Sequence, residues 1–99
     1  MSEYGIPLEV QKLVNLRDKN CVYCGITFDD NSSTNKKSWE HIENDITKNT
    51  IDNICLSCIS CNSSKSDKSL IDWIENSKYC KDKNITKFNV ADVVRQHLE

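Results

Sequence analysis

Six cysteines stand in a chain of 99 residues, and four of them form two Cys-x2-Cys knuckles, Cys21/Cys24 and Cys58/Cys61. Two residues between thiolates let one knuckle present two sulfurs to a tetrahedral ion at about 2.3 Å. Two such knuckles close a zinc site with no open position, which suits structure and not catalysis. Metal binding can contribute on the order of 10 kcal/mol to folding. That would offset the thin core implied by a hydrophobic content of 37% in so short a chain. Cys55, Cys58 and Cys61 repeat at three-residue intervals, so Cys55/Cys58 is an alternative second pair. A packed thiol in mid-strand is the plainer account of Cys55. Cys80 has no partner at ligand spacing and reads as a semi-buried thiol after a helix. Disulfides in a secreted domain are the rival reading of the cysteines. Residues 1–7 are polar and show no secretory signal, and no apolar run reaches membrane-span length. The expectation is therefore a cytoplasmic protein without a membrane partner.

The stretch between the knuckles is longer than the loop of an ordinary zinc ribbon, and it carries Glu40-His41. Asn62 directly follows Cys61. An imidazole can deprotonate water, and the hard oxygens of Glu40 and Asn62 suit Mg²⁺ or a similar ion. A base and a cation beside a phosphate are what phosphodiester hydrolysis requires. Adjacent residues of a regular strand face opposite sides. Glu40 and His41 can meet at one point only if the strand breaks or bulges near its end, where a polar loop begins at Glu43. Lys65 and Lys68 after the second knuckle, and Lys36 and Lys37 before the strand, could grip a nucleic-acid backbone or form a solvated face. Such contacts carry no base information. A net charge of -2 argues weakly against a passive nucleic-acid binder, but not against an enzyme whose acidic site holds a cation.

The elements that must position these residues follow from pattern. Pro7 opens a helix running to about Lys19, with Leu8, Val10, Leu13, Val14 and Leu16 as its apolar face. Gly25 supplies the positive φ that the first knuckle needs. Residues 29–37 read as a polar loop, 38–42 as a strand, 43–50 as a loop and 51–56 as a second strand. The second knuckle runs into a helix. Ser69 with Asp72 restarts it as a capping box, and Leu70, Trp73 and Ile74 share one face. Asn89 caps a last helix over 90–98. Trp39 and Trp73 read as core, Asn53 as a structural residue near a turn, and His97 as solvated.

Taken together, Cys21-x2-Cys24, Trp39-Glu40-His41-Ile42, Asn53 and Cys58-x2-Cys61-Asn62-x2-Lys65 resemble the HNH endonuclease family, in its zinc-containing His-Asn-Asn form found in phages and bacteria. The resemblance covers about residues 17–74. It implies an α+β fold, a small ββα-metal domain stapled by four cysteines, with flanking N- and C-terminal helices and a single domain over 1–99. It also implies DNA as substrate, His41 as general base, and one catalytic Mg²⁺ or Mn²⁺ held by Glu40 and Asn62. Asn53 would fix the loop between the strands and so orient His41, and the products would carry 5′-phosphate and 3′-hydroxyl ends. Two departures stand out: Glu40 replaces the commoner Asp, one methylene shorter, and Asn62 replaces the commoner final His. So small a domain often works beside a larger protein that supplies specificity. The reading from another class is a zinc module that binds nucleic acid or protein without catalysis, which has no need of Glu40, His41 and Asn62 near one point.

Overall fold

Residues 5–45 and 47–98 are described by the computed structural model; residues 1–4, part of the polar N-terminal stretch, Ile46, within the 43–50 loop, and Glu99 lie outside them. The elements run α1 (Leu8–Arg17), β1 (Lys37–His41), β2 (Ile54–Cys58), α2 (Ile59–Lys65), α3 (Leu70–Asn76), α4 (Lys78–Lys83) and α5 (Asp92–Arg95). The strands pair antiparallel from Lys37↔Cys58 to His41↔Ile54 with every residue in register. β2 leads directly into α2, which gives the ββα order of an α+β domain.

All five residues of β2 are buried, as its nearly continuous apolar sequence requires. Ile54 and Leu56 cluster with Ile6 and Val14 under α1. Cys55, between them, belongs to the larger cluster built around Tyr23, Trp73, Cys80 and Val94. The edge of β2 away from β1 is closed by α1 and the first knuckle. Val22 N–H donates to Leu56 O (3.2 Å), and Leu56 N–H donates to Asp18 Oδ2 (3.0 Å). Arg17 forks onto Asp18 at 2.7 and 2.9 Å and also donates to the carbonyls of Ile51 and Ile54.

Several expected boundaries move. Pro7 caps α1 from outside, and the helix stops at Arg17, where Asp18 turns extended. Its expected apolar face is mostly solvent-facing: Leu8, Leu13 and Leu16 are exposed, and only Val14 is buried, with Val10 half-buried. α1 thus docks through one narrow stripe and its C-terminal Arg17-Asp18 pair. The second strand begins three residues later than expected, because Thr50 O accepts from both Asn53 and Ile54 and closes a turn there. The last helix shrinks to one turn capped by Ala91, since Asn89 Oδ1 accepts from Thr86 N–H instead. α4 has no counterpart among the expected elements. Ser77 caps it through Cys80 N–H, and Asn84 ends it in the left-handed region.

Asp18→Ala should lower the unfolding free energy of the zinc-loaded protein by about 3 kcal/mol, because it leaves a buried strand N–H unpaired and takes from Arg17 its carboxylate, leaving it only the two carbonyls. Leu13→Ser should change it by less than about 0.5 kcal/mol. Urea unfolding of both variants checks the assignment of the α1–β2 contact.

Candidate functional site

The sulfurs of Cys21, Cys24, Cys58 and Cys61 all lie within 4.8 Å of one another, with Cys24 and Cys58 3.8 Å apart. A tetrahedron of thiolates about 2.3 Å from zinc has edges of about 3.8 Å, so the donor set fits that metal. Cys55 and Cys80 are buried outside the group. Burial holds the Cys55 thiol far above its ordinary range, as a neutral core group. Cys80 sits within α4 and not after a helix. Sulfur–sulfur hydrogen bonds push Cys21 strongly down and Cys58 up. Four sulfurs this close become thiolates together only around a cation. The Tyr79 hydroxyl lies 3.2 Å from Cys61 Sγ and 2.8 Å from Ser60 Oγ, with its ring stacked on Trp73.

The first knuckle reaches the acid. Tyr23, between its cysteines, is buried against Trp73 and donates its hydroxyl to Glu40 Oε2 at 2.8 Å. Burial pushes the Tyr23 phenol far up, so it stays a donor. Lys65 Nζ approaches the same Oε2 at 3.2 Å. Burial raises the Glu40 carboxyl, and Lys65 and Tyr23 oppose that rise without cancelling it. Both partners take Oε2, and Oε1 accepts from no described residue.

Lys65 corrects an expectation. Placed at a phosphate backbone by its position in the sequence, it is instead wholly buried. Its ammonium is shared among Glu40 Oε2, the His41 carbonyl (3.3 Å) and Asn44 Oδ1 (3.1 Å). One helical turn earlier, Asn62 donates Nδ2 to Ser38 Oγ (3.0 Å) and to the Trp39 carbonyl (3.1 Å). Asn62 and Lys65, three apart on α2, thus meet the carbonyls of residues two apart on the free edge of β1. Asn62 Oδ1 has no partner among the described residues. The start of α2 offers no phosphate seat either: Ile59, Ser60 and Cys61 N–H already donate to Lys36 O, Thr34 O and Cys58 Sγ. Lys68 is exposed and donates to Ser64 O.

His41 ends β1. Its Nε2 lies 2.8 Å from Asn49 Oδ1, an acceptor, so Nε2 carries the proton and Nδ1 keeps the lone pair. No bulge brings Glu40 and His41 together; the strand simply stops at His41. Both residues line one cleft of about 400 Å³ with Trp39, Asn44, Asn62, Ser66 and Asp67. Asn53 is buried and holds the loop beyond: Oδ1 accepts from Glu43 N–H (2.7 Å), and Nδ2 donates to the carbonyls of Glu43 and Lys48. His97 also departs from its expected solvated place. Nδ1 meets Glu43 Oε2 and Nε2 meets Asp52 O, each at 2.7 Å, which fastens the C-terminal turn to this loop. Tyr23, Asn44 and Asn49 escaped the sequence reading. Only the position of Tyr23 inside a knuckle signalled anything.

Two oxygens, Glu40 Oε1 and Asn62 Oδ1, therefore remain for a hard cation in this cleft, with room for water and phosphate. Glu40 already shares its charge with Lys65, so it would hold such an ion loosely.

Residues 21–68 match the family described as HNH endonuclease. No curated protein and no solved structure matches the chain. No helix among the described residues is long and apolar enough to cross a membrane.

Metal analysis of reduced protein should find one equivalent of zinc. Cys55→Ser and Cys80→Ser should retain it, and Cys58→Ser should lose both zinc and the folded state. Zinc lost with Cys55→Ser and kept with Cys61→Ser would reassign the second knuckle.

Proposed function

We propose, from the match of residues 21–68 to the HNH endonuclease family, that this chain is a metal-dependent endonuclease hydrolysing DNA phosphodiester bonds. One observation carries the reading: Glu40 and His41 of β1 and Asn62 of α2, joined by the hydrogen bonds of Asn62 and Lys65 to the strand edge, line a single cleft.

His41 is the general base. Asn49 fixes the tautomer, so Nδ1 accepts the proton as water attacks phosphorus. Asn53 serves this indirectly by tying the loop that follows His41. Glu40 Oε1 and Asn62 Oδ1 are the ligands for a divalent ion such as Mg²⁺ or Mn²⁺, which when bound would neutralise the phosphate and stabilise the departing 3′ oxygen. Tyr23 and Lys65 keep the Glu40 carboxylate ionised and aimed while leaving its second oxygen open. Breaking the bond to the 3′ oxygen leaves 5′-phosphate and 3′-hydroxyl ends. Lys36 and Lys37, exposed beside the neighbouring cleft, and Lys68 supply backbone contacts without base preference. A larger partner protein would then supply specificity. A module that only bound nucleic acid would have no use for a buried carboxylate with one oxygen open.

Supercoiled plasmid incubated with Mg²⁺ or Mn²⁺ should be nicked by the wild type. His41→Ala should lower the rate by at least about 100-fold while keeping its zinc. Asn49→Ala should cost roughly 10- to 100-fold. Undiminished cutting by clean His41→Ala protein would refute the assigned base.

A further inference from the structure

Lys37, Trp39 and His41 leave β1 on the same side, so an ammonium, an indole and an imidazole succeed one another at ~6.6 Å intervals. Trp39 is only half-buried. Part of it packs against the cluster of Ile54 and Leu56. It also borders two adjoining clefts. One is the cleft of Glu40, His41 and Asn62; the other, of about 470 Å³, is lined by Lys36, Lys37, Asn15, Asp30 and Ile59. Trp39 and Asn62 line both, so the two depressions meet at the indole. A core tryptophan would not stand at such a junction; Trp73, the other one, is wholly buried.

We infer that Trp39 is a stacking platform for an unpaired base next to the scissile phosphate, with the phosphate on the far side of that base reaching Lys36 and Lys37. Along β1 the groups fall in the order His41 for a phosphate, Trp39 for a base and Lys37 for the next phosphate. The long lysine side chain can reach back across part of the ~13 Å between the ends of this row. Every base has a π-face, so the contact is tolerant of sequence. A base inside a duplex is covered on both faces by its neighbours, and Trp39 can reach a face only where the stack is open. The substrate class is therefore DNA with an unpaired nucleotide at the cut: single-stranded, frayed or branched. Asp30 in the second cleft and the net charge of -2 limit a purely electrostatic grip, which leaves stacking a larger share of the affinity. This inference rests on the proposed function of the neighbouring cleft, and its test separates the two.

Zinc-loaded His41→Ala protein, which should leave DNA intact, is titrated with a short oligothymidine and with a blunt duplex of equal length, reading tryptophan emission. Because Trp73 is buried, quenching reports Trp39. The single strand should quench emission at concentrations where the duplex has little effect. Trp39→Leu, checked for retained zinc, should bind the oligothymidine about tenfold more weakly, and Trp39→Phe should stay within about threefold of the parent. In the otherwise wild-type protein, Trp39→Leu should raise KM for single-stranded DNA about tenfold, with kcat little changed. Emission unmoved by bound oligothymidine, or Leu and Phe variants that bind alike, would overturn the platform even if the protein cuts DNA. Quenching by the single strand in a protein that cuts nothing would uphold the platform and defeat the nuclease reading.

Discussion

Four sulfur atoms within 4.8 Å of one another are the constraint from which the rest of the geometry follows. The first knuckle encloses Tyr23, whose hydroxyl reaches Glu40; the second ends at Cys61, whose successor is Asn62. Closing the knuckles on one ion would therefore fix the acid from one side and the amide from the other. A chain this thin in apolar residues has few other means of holding a strand end against a short helix with such tolerance. α4 adds to the same centre, because Tyr79 hydrogen-bonds Cys61 Sγ and stacks on Trp73. Partners of this kind orient ligands and tune the metal.

The two-stranded sheet would otherwise present two open edges, and each is closed by polar side chains from a helix or by the first knuckle. Asp18, Arg17 and Val22 cover β2; Asn62 and Lys65 cover β1. On the β1 side the covering groups also belong to the cleft. A buried Lys–Glu pair is poor evidence of stability, since well-packed apolar residues of similar volume are often neutral or better by about 1–4 kcal/mol. What Lys65 supplies is orientation: one ammonium ties the Glu40 carboxylate, the His41 carbonyl and Asn44 to a single point. The buried pair leaves the second carboxylate oxygen of Glu40 without a partner among the described residues.

Much of this was legible in the sequence where chemistry is local. Knuckle spacing marked the sulfur cluster, and adjacency in the chain marked Glu40-His41 and Cys61-Asn62. Where the structure departs, a tertiary contact decided the matter. Lys65 looked like a phosphate anchor because sequence carries no burial; its place one turn after Asn62 aims it at the strand edge instead. Leu8, Leu13 and Leu16 made a convincing apolar stripe, yet α1 lies on β2 along Val14 and through its last turn. The polar sequence of α4 hid it, though Ser77 and Asn84 were readable caps. Asn49 returns to His41 from eight residues on, and His97 reaches the Glu43 loop from 54 residues away, separations that no local pattern reports.

The central claim is that the sulfur cluster brings Glu40 Oε1 and Asn62 Oδ1 together as one cation site at the end of β1. Paramagnetic broadening of amide NMR signals in the zinc-loaded protein, titrated with Mn²⁺, tests it most directly. The account expects signals of Glu40, His41, Asn44 and Asn62 to broaden first and together, and Glu40→Gln to abolish the effect. Broadening centred on the exposed acids Asp30 or Glu43, with the cleft signals unaffected, would contradict it.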